Sequence, residues 1–149
     1  MIDLPKRRGP NPAFVREIYI DETSQTKHRY LLLGALTIPL LSKQNALETI
    51  SEARLPQLPH GEMKWGKVSP SKLIAYQRTA DLFFDDDAFV NAHFHCIVID
   101  TSLIDDRKYN DSDREVGFNK EIYQLANKCA RLYPRDYFHV YPDQRDTPS

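Results

Sequence analysis

Three apolar runs with a repeat of two each end in an aspartate, and no other feature restricts the fold of this chain as much. V-R-E-I-Y-I-D (residues 15–21) sets Arg16, Ile18 and Ile20 on one face and Val15, Glu17, Tyr19 and Asp21 on the other. F-V-N-A-H-F-H-C-I-V-I-D (residues 89–100) turns wholly apolar before Asp100, and D-Y-F-H-V-Y-P-D (residues 136–143) closes on Asp143. Such alternation belongs to strands. H-R-Y-L-L-L-G-A-L-T-I-P (residues 28–39) is a further strand, and the short link T-S-Q-T-K joining it to the first predicts an antiparallel hairpin.

Between these runs the apolar repeat changes to about 3.6. Ser42 is placed to cap a helix carrying Ala46, Leu47, Ile50 and Ala53, which Pro56 and Pro59 end. Residues 61–68, G-E-M-K-W-G-K-V, read as a short extended piece. Ser69 and Pro70 supply the cap and first turn of a helix to about Phe84, with Leu73, Tyr76, Ala80 and Phe83 on its inner face. A long helix from Asp113 places Phe118, Ile122, Ala126, Cys129 and Tyr133 on one stripe. Strands separated by helices imply parallel pairing with right-handed crossovers, and the opening hairpin supplies an antiparallel edge. The expected fold is a mixed α/β sheet.

Bulk properties narrow the function. A chain of 149 residues is long enough for one core, and residues 1–14 are expected to form a flexible arm before a domain over 15–149. No apolar run reaches bilayer length and the N-terminus lacks the core of a signal peptide, so a cytoplasmic location and no membrane partner are expected. Cys96 and Cys129 lack metal or disulfide spacing and read as buried small hydrophobes. A net charge of −1 gives no general footprint for nucleic acid. The basic cluster Lys6, Arg7 and Arg8 reads as a solvated tail, with a phosphate contact as the alternative.

If the strand ends lie on one side of the sheet, Asp21, Asp100 and Asp143 converge, since ligands of open α/β sheets collect at the carboxyl ends of strands. Glu62 is a candidate fourth acid. Clustered carboxylates repel unless a cation or protons neutralise them, and hard oxygen ligands favour magnesium or manganese. The competing reading of each acid is a cap or solvated turn.

Other residues carry smaller expectations. His93 and His95 share a strand face but are too few for a metal site. Trp65 is available to stack on a base or to pack. Asp85, Asp86 and Asp87 close a helix as a solvated turn, and Asp105, Asp106, Asp111 and Asp113 read as an exposed loop and a helix cap.

The segments Y-I-D-E-T, E-M-K-W, I-V-I-D-T, G-F-N-K-E-I-Y-Q-L-A and Y-P-D-Q-R fall in an order that resembles a bacterial and phage family catalogued as domain of unknown function 3800. The likeness runs from about Arg16 to Arg145, with Thr23 where that family has Ser. It implies a ribonuclease H-like sheet flanked by helices. Asp21 matches the first-strand acid, Glu62 and Lys64 the Glu-x-Lys element, and Asp100 and Asp143 the later strand-end acids. The resemblance further implies a nuclease holding two divalent metals, Mg2+ or Mn2+, between such acids. Ribonuclease H-like nucleases normally carry a further helix bearing their last acid, and members of this family are usually longer, so a C-terminal portion is expected to be lacking here, and exposed sheet surface would promote self-association.

Two metals about 4 Å apart activate water and stabilise the leaving oxygen, and the first-strand aspartate is suited to bridge them. The expected roles are Asp21 as bridging ligand, Glu62 and Asp143 as ligands, and Asp100 as ligand or structural acid. Lys64 either holds Glu62 or contacts a phosphate, and Trp65 contacts substrate. The alternative is an inactive ribonuclease H-like domain that binds a nucleic acid or protein partner. In a third reading the acids are purely structural.

Overall fold

Val15 begins a run in which every second side chain from Arg16 to Ile20 faces the same way, and this run is the first central strand of the sheet. The computed structural model describes residues 9–23 and 29–143, so Lys6, Arg7 and Arg8 and most of the hairpin link lie outside the described residues. The strands are β1 (Val15–Thr23), β2 (Tyr30–Pro39), β3 (His93–Asp100) and β4 (Tyr137–Pro142). The helices are α1 (Lys43–Ala53), α2 (Leu73–Asp85), α3 (Asp106–Tyr109) and α4 (Arg114–Arg131). Among the described residues no helix is long and apolar enough to cross a membrane.

The fold is a mixed α/β arrangement with a four-stranded sheet in the order β3-β2-β1-β4. β1 and β2 form the antiparallel hairpin, and β1 and β4 the one parallel pair. The hairpin is therefore central, not an edge, and among the described residues one crossover pairing is parallel. Loop length explains the hairpin, but the choice of outer partners is made by tertiary packing.

The chain divides into two compact units, one of residues up to Thr37 and from Phe94 onward, the other Ile38–His93. In the first, Ile18 and Ile20 join Leu31, Leu33 and Ala35 against Phe118, Leu125 and Cys129 of α4. Ile97, Ile99, Ile122, Ala126 and Phe138 complete this core. The stripe expected on α4 is present with Leu125 added, and Asp113 caps the helix by accepting from the Glu115 N–H. Tyr133 lies past the helix, under the Arg16 guanidinium, 3.5 Å from its ring centre. Arg16 also bonds Asp136 at 2.7 Å, tying β1 to the turn before β4. Cys129 is buried as expected, and burial pushes its thiol pKa up. Cys96 is exposed, a correction that follows from its place on the opposite face of β3 from Ile97 and Ile99.

The second unit pairs α1 with α2, and a single turn at Asp87–Phe89 adds Ala88 and Phe89 to a small core with Ala46, Leu58 and Ala75. Ser42 does not cap α1 with its side chain, because a 3-10 turn at Leu40–Ser42 already holds it in helical backbone. Ser69 and Pro70 precede α2 in a turn whose Lys72 and Leu73 N–H groups both bond the Ser69 carbonyl. The buried line of α2 runs through Ala75, about one position round from the expected face, leaving Leu73 and Ala80 exposed. Residues 61–68 are not a strand. Tyr76 accepts from the Lys64 N–H and donates to its carbonyl, replacing the ladder partners that a strand would need.

Gly117 lets the loop before α4 lie close. A Cβ there would meet Asn110 Nδ2 at 2.5 Å, and Asn110 is 7% exposed and pinned by Asp106 and Lys120. Overpacking costs about 1–3 kcal/mol, whereas alanine's helix preference returns at most about 1 kcal/mol. Gly117→Ala is expected to lower the urea midpoint; a raised midpoint would show that the loop yields freely.

Candidate active site

The parallel pairing of β1 with β4 decides which acids meet. Its register matches Val15 with Tyr137, Tyr19 with Tyr141 and Ile20 with Pro142. The ladder continues one step, because the Asp143 N–H bonds the Ile20 carbonyl at 2.9 Å. Residues matched in a parallel pair face the same way, as the Tyr19 and Tyr141 rings do, stacked with centres 5.2 Å apart. Asp21 and Asp143 are the next same-face pair, on backbones about 5 Å apart. Both are exposed. One carboxylate oxygen of Asp21 accepts from the Glu22 N–H at 2.8 Å, which orients the group.

Asp100 reaches the same end of the sheet by another route. The Thr101 N–H and hydroxyl both bond the Arg29 carbonyl at 2.8 Å, setting the end of β3 beside the start of β2. β2 separates β3 from β1, so Asp100 and Asp21 lie on strands that are not neighbours. Arg29 donates from Nε and Nη2 to one Asp100 oxygen at 3.0 and 2.7 Å, while Ser102 bonds the other through its N–H and hydroxyl at 3.0 and 2.6 Å. The Arg29 guanidinium, with Ser102, holds this carboxyl down to about 2 from an ordinary 3.8. Its oxygens are already occupied by donors.

Glu62, Lys64 and Trp65 belong to the other unit. Lys64 Nζ bonds Glu62 at 2.8 Å with both side chains exposed, an ion pair of small worth. Trp65 opens a 3-10 turn, Trp65–Lys67, and is 89% exposed. Asp86 caps the turn at Asp87–Phe89 and Asp105 caps α3, while Asp106 accepts from the Asn110 side-chain amide, so these acids hold local structure. His93 and His95 share a face of β3, and Nε2 of His95 is buried with no hydrogen-bond partner among the described residues.

Glu17 has no role in the expectations above. It is 2% exposed on the face of Tyr19 and Asp21. The Tyr19 hydroxyl donates to one of its oxygens, and Tyr141 approaches the other at 3.4 Å. A buried carboxylate persists only when such donors replace water. A glutamate inside an apolar strand, two residues from a tyrosine, is the sequence signal for it.

Two exposed aspartates side by side suit one hard cation, since magnesium keeps several waters and binds through one or two carboxylates. They do not by themselves suit two ions. Among the described residues no three His, Cys, Asp or Glu side chains form a group able to hold a metal.

The chain is 24% identical over 135 residues to an uncharacterized protein, ORF2, of Methanothermobacter thermautotrophicus, in a match covering 85% of this chain and 47% of that protein. It spans about half the length of this curated relative. No family model matches the chain, and no solved structure does.

The Arg29 contact generates a titration with a definite sign. A carboxyl depressed in the folded state adds stability above its unfolded pKa, and that contribution is lost as pH falls through the folded value. The Asp100 carboxyl carbon, followed by NMR, is expected to titrate at about 2, and Arg29→Gln to move the midpoint up toward 3.8. An unchanged midpoint in the variant would mean that Arg29 does not hold the group.

Proposed function

We propose that this chain is a ribonuclease H-like domain of the kind catalogued as domain of unknown function 3800, and that it is a cytoplasmic metal-dependent nuclease built around Asp21 and Asp143. The observation that carries the reading is the parallel register, which puts two exposed carboxylates on one face at the end of adjacent strands. Like charges so placed destabilise the chain unless a cation sits between them. A divalent ion bound there lowers the pKa of a coordinated water and offers positive charge to a phosphate oxygen. Asp21, oriented by the Glu22 N–H, presents its second oxygen for that purpose. Asp143 supplies the facing carboxylate. Asp100 fixes the strand ends through Arg29.

A second reading has specific support. The donors on Asp100 and the lack of a three-ligand group among the described residues favour a domain that binds a nucleic acid or protein partner without cutting.

Cleavage of labelled single- and double-stranded DNA, RNA and hybrid in Mn2+ distinguishes the two. The parent is expected to cut at least one substrate, and Asp21→Asn, still folded by circular dichroism, to lose about a hundredfold or more of that activity, as loss of a residue acting on the reacting atoms does. Equal rates for parent and variant, or no cutting by either, would overturn the nuclease reading.

A further inference from the structure

Trp65 is the chain's one tryptophan, and its side chain stands in solvent at 89% exposure. The turn that bears it is firmly held. Tyr76 of α2 bonds both backbone groups of Lys64, at 3.1 and 2.9 Å, and the turn is closed by Lys67 N–H to the Lys64 carbonyl at 2.8 Å and Val68 N–H to the Trp65 carbonyl at 3.2 Å. Upstream, Arg54 donates to the Gly61 carbonyl, where φ is +82°. An indole fixed by its backbone and left in water is prepared for a partner at little ordering cost.

The surroundings indicate which partner. Residues 60–72 hold Lys64, Lys67 and Lys72 against Glu62 alone, three positive charges less one negative, a net +2 in a chain whose net charge is −1. A tryptophan that anchors a protein interface sits within a ring of neighbours that exclude water. Here its neighbours are lysines and Gly66, whose Cβ position is open space. A flat aromatic face with lysines in the same turn is the combination that grips a single strand, by stacking a base and pairing with the adjoining phosphates. In a duplex the bases are already stacked and the face has nothing to take.

We infer that the Trp65 turn is a docking element for single-stranded nucleic acid, with one base on the indole and phosphates at Lys64 and Lys67. The inference stands whether or not the Asp21 site cuts, because stacking and ion pairing need no metal.

Intrinsic fluorescence tests it directly, since Trp65 is the sole indole. In EDTA and low salt, an oligothymidylate or oligouridylate of roughly 15 nucleotides, within the span such proteins cover, is expected to quench the emission saturably. Binding should weaken with added salt, and a duplex of equal length should bind at least about tenfold more weakly. Anisotropy of a labelled strand then reads the variants. Trp65→Ala, exposed enough to leave the fold intact, is expected to lose about tenfold or more in affinity, while Trp65→Phe retains most of it. Lys67→Gln should reduce the salt slope by about 0.7. Absence of quenching by either strand, or equal binding by Trp65→Ala, overturns the proposal. Because metal is absent, quenching without later cleavage in Mn2+ would sink only the nuclease reading.

Discussion

The register between β1 and β4 is the constraint on which most of this structure depends. Side chains alternate with a period of two, so a slip of one residue would turn Ile18 and Ile20 out of the core and carry Glu17 and Tyr19 into α4. The same slip would separate Asp21 from Asp143. Core packing thus selects the register, and the register then brings the two carboxylates together. The candidate site needs no apolar contacts of its own, because the Ile18–Leu125 side of the sheet supplies the energy that holds the strand ends. Arg16 reinforces the choice from the same face, since its bond to Asp136 fixes where β4 begins.

The acids at this end of the sheet differ through their neighbours. Asp100 meets a guanidinium and two Ser102 donors, which lock it as a structural anion joining β3 to β2. Asp21 and Asp143 stand at the ends of neighbouring strands, on the same face. Charge that is already balanced gains little from an added cation, whereas a facing pair gains from one, and that difference separates the roles of three residues that look alike in the sequence. Glu17 is the third kind of case, a carboxylate made tolerable in the interior by tyrosine hydroxyls.

Local periodicity carried the faces of β1, the stripe on α4 and the Asp113 cap, because each depends on residues within one element. Strand order was not legible, because partner choice is not a local property. The Arg29–Asp100 pair joins residues 71 apart and leaves no local trace. Residues 61–68 have the look of a strand, yet a tyrosine hydroxyl twelve residues on takes the backbone groups a strand would pair. The α2 face was displaced for a related reason. Its apolar residues fit two adjacent stripes, and Tyr76 is committed to Lys64. Asp21 and Asp143 were legible as candidates, but their adjacency came only from the parallel pairing.

In the function proposed above, Asp21 and Asp143 act as one cation site while Asp100 stands apart. A Mg2+ titration followed through the aspartate carboxyl carbon resonances tests this most directly. The account predicts that the Asp21 and Asp143 signals shift together along one binding curve while that of Asp100 stays in place. Movement of Asp100 with the ion, or of neither Asp21 nor Asp143, would contradict it.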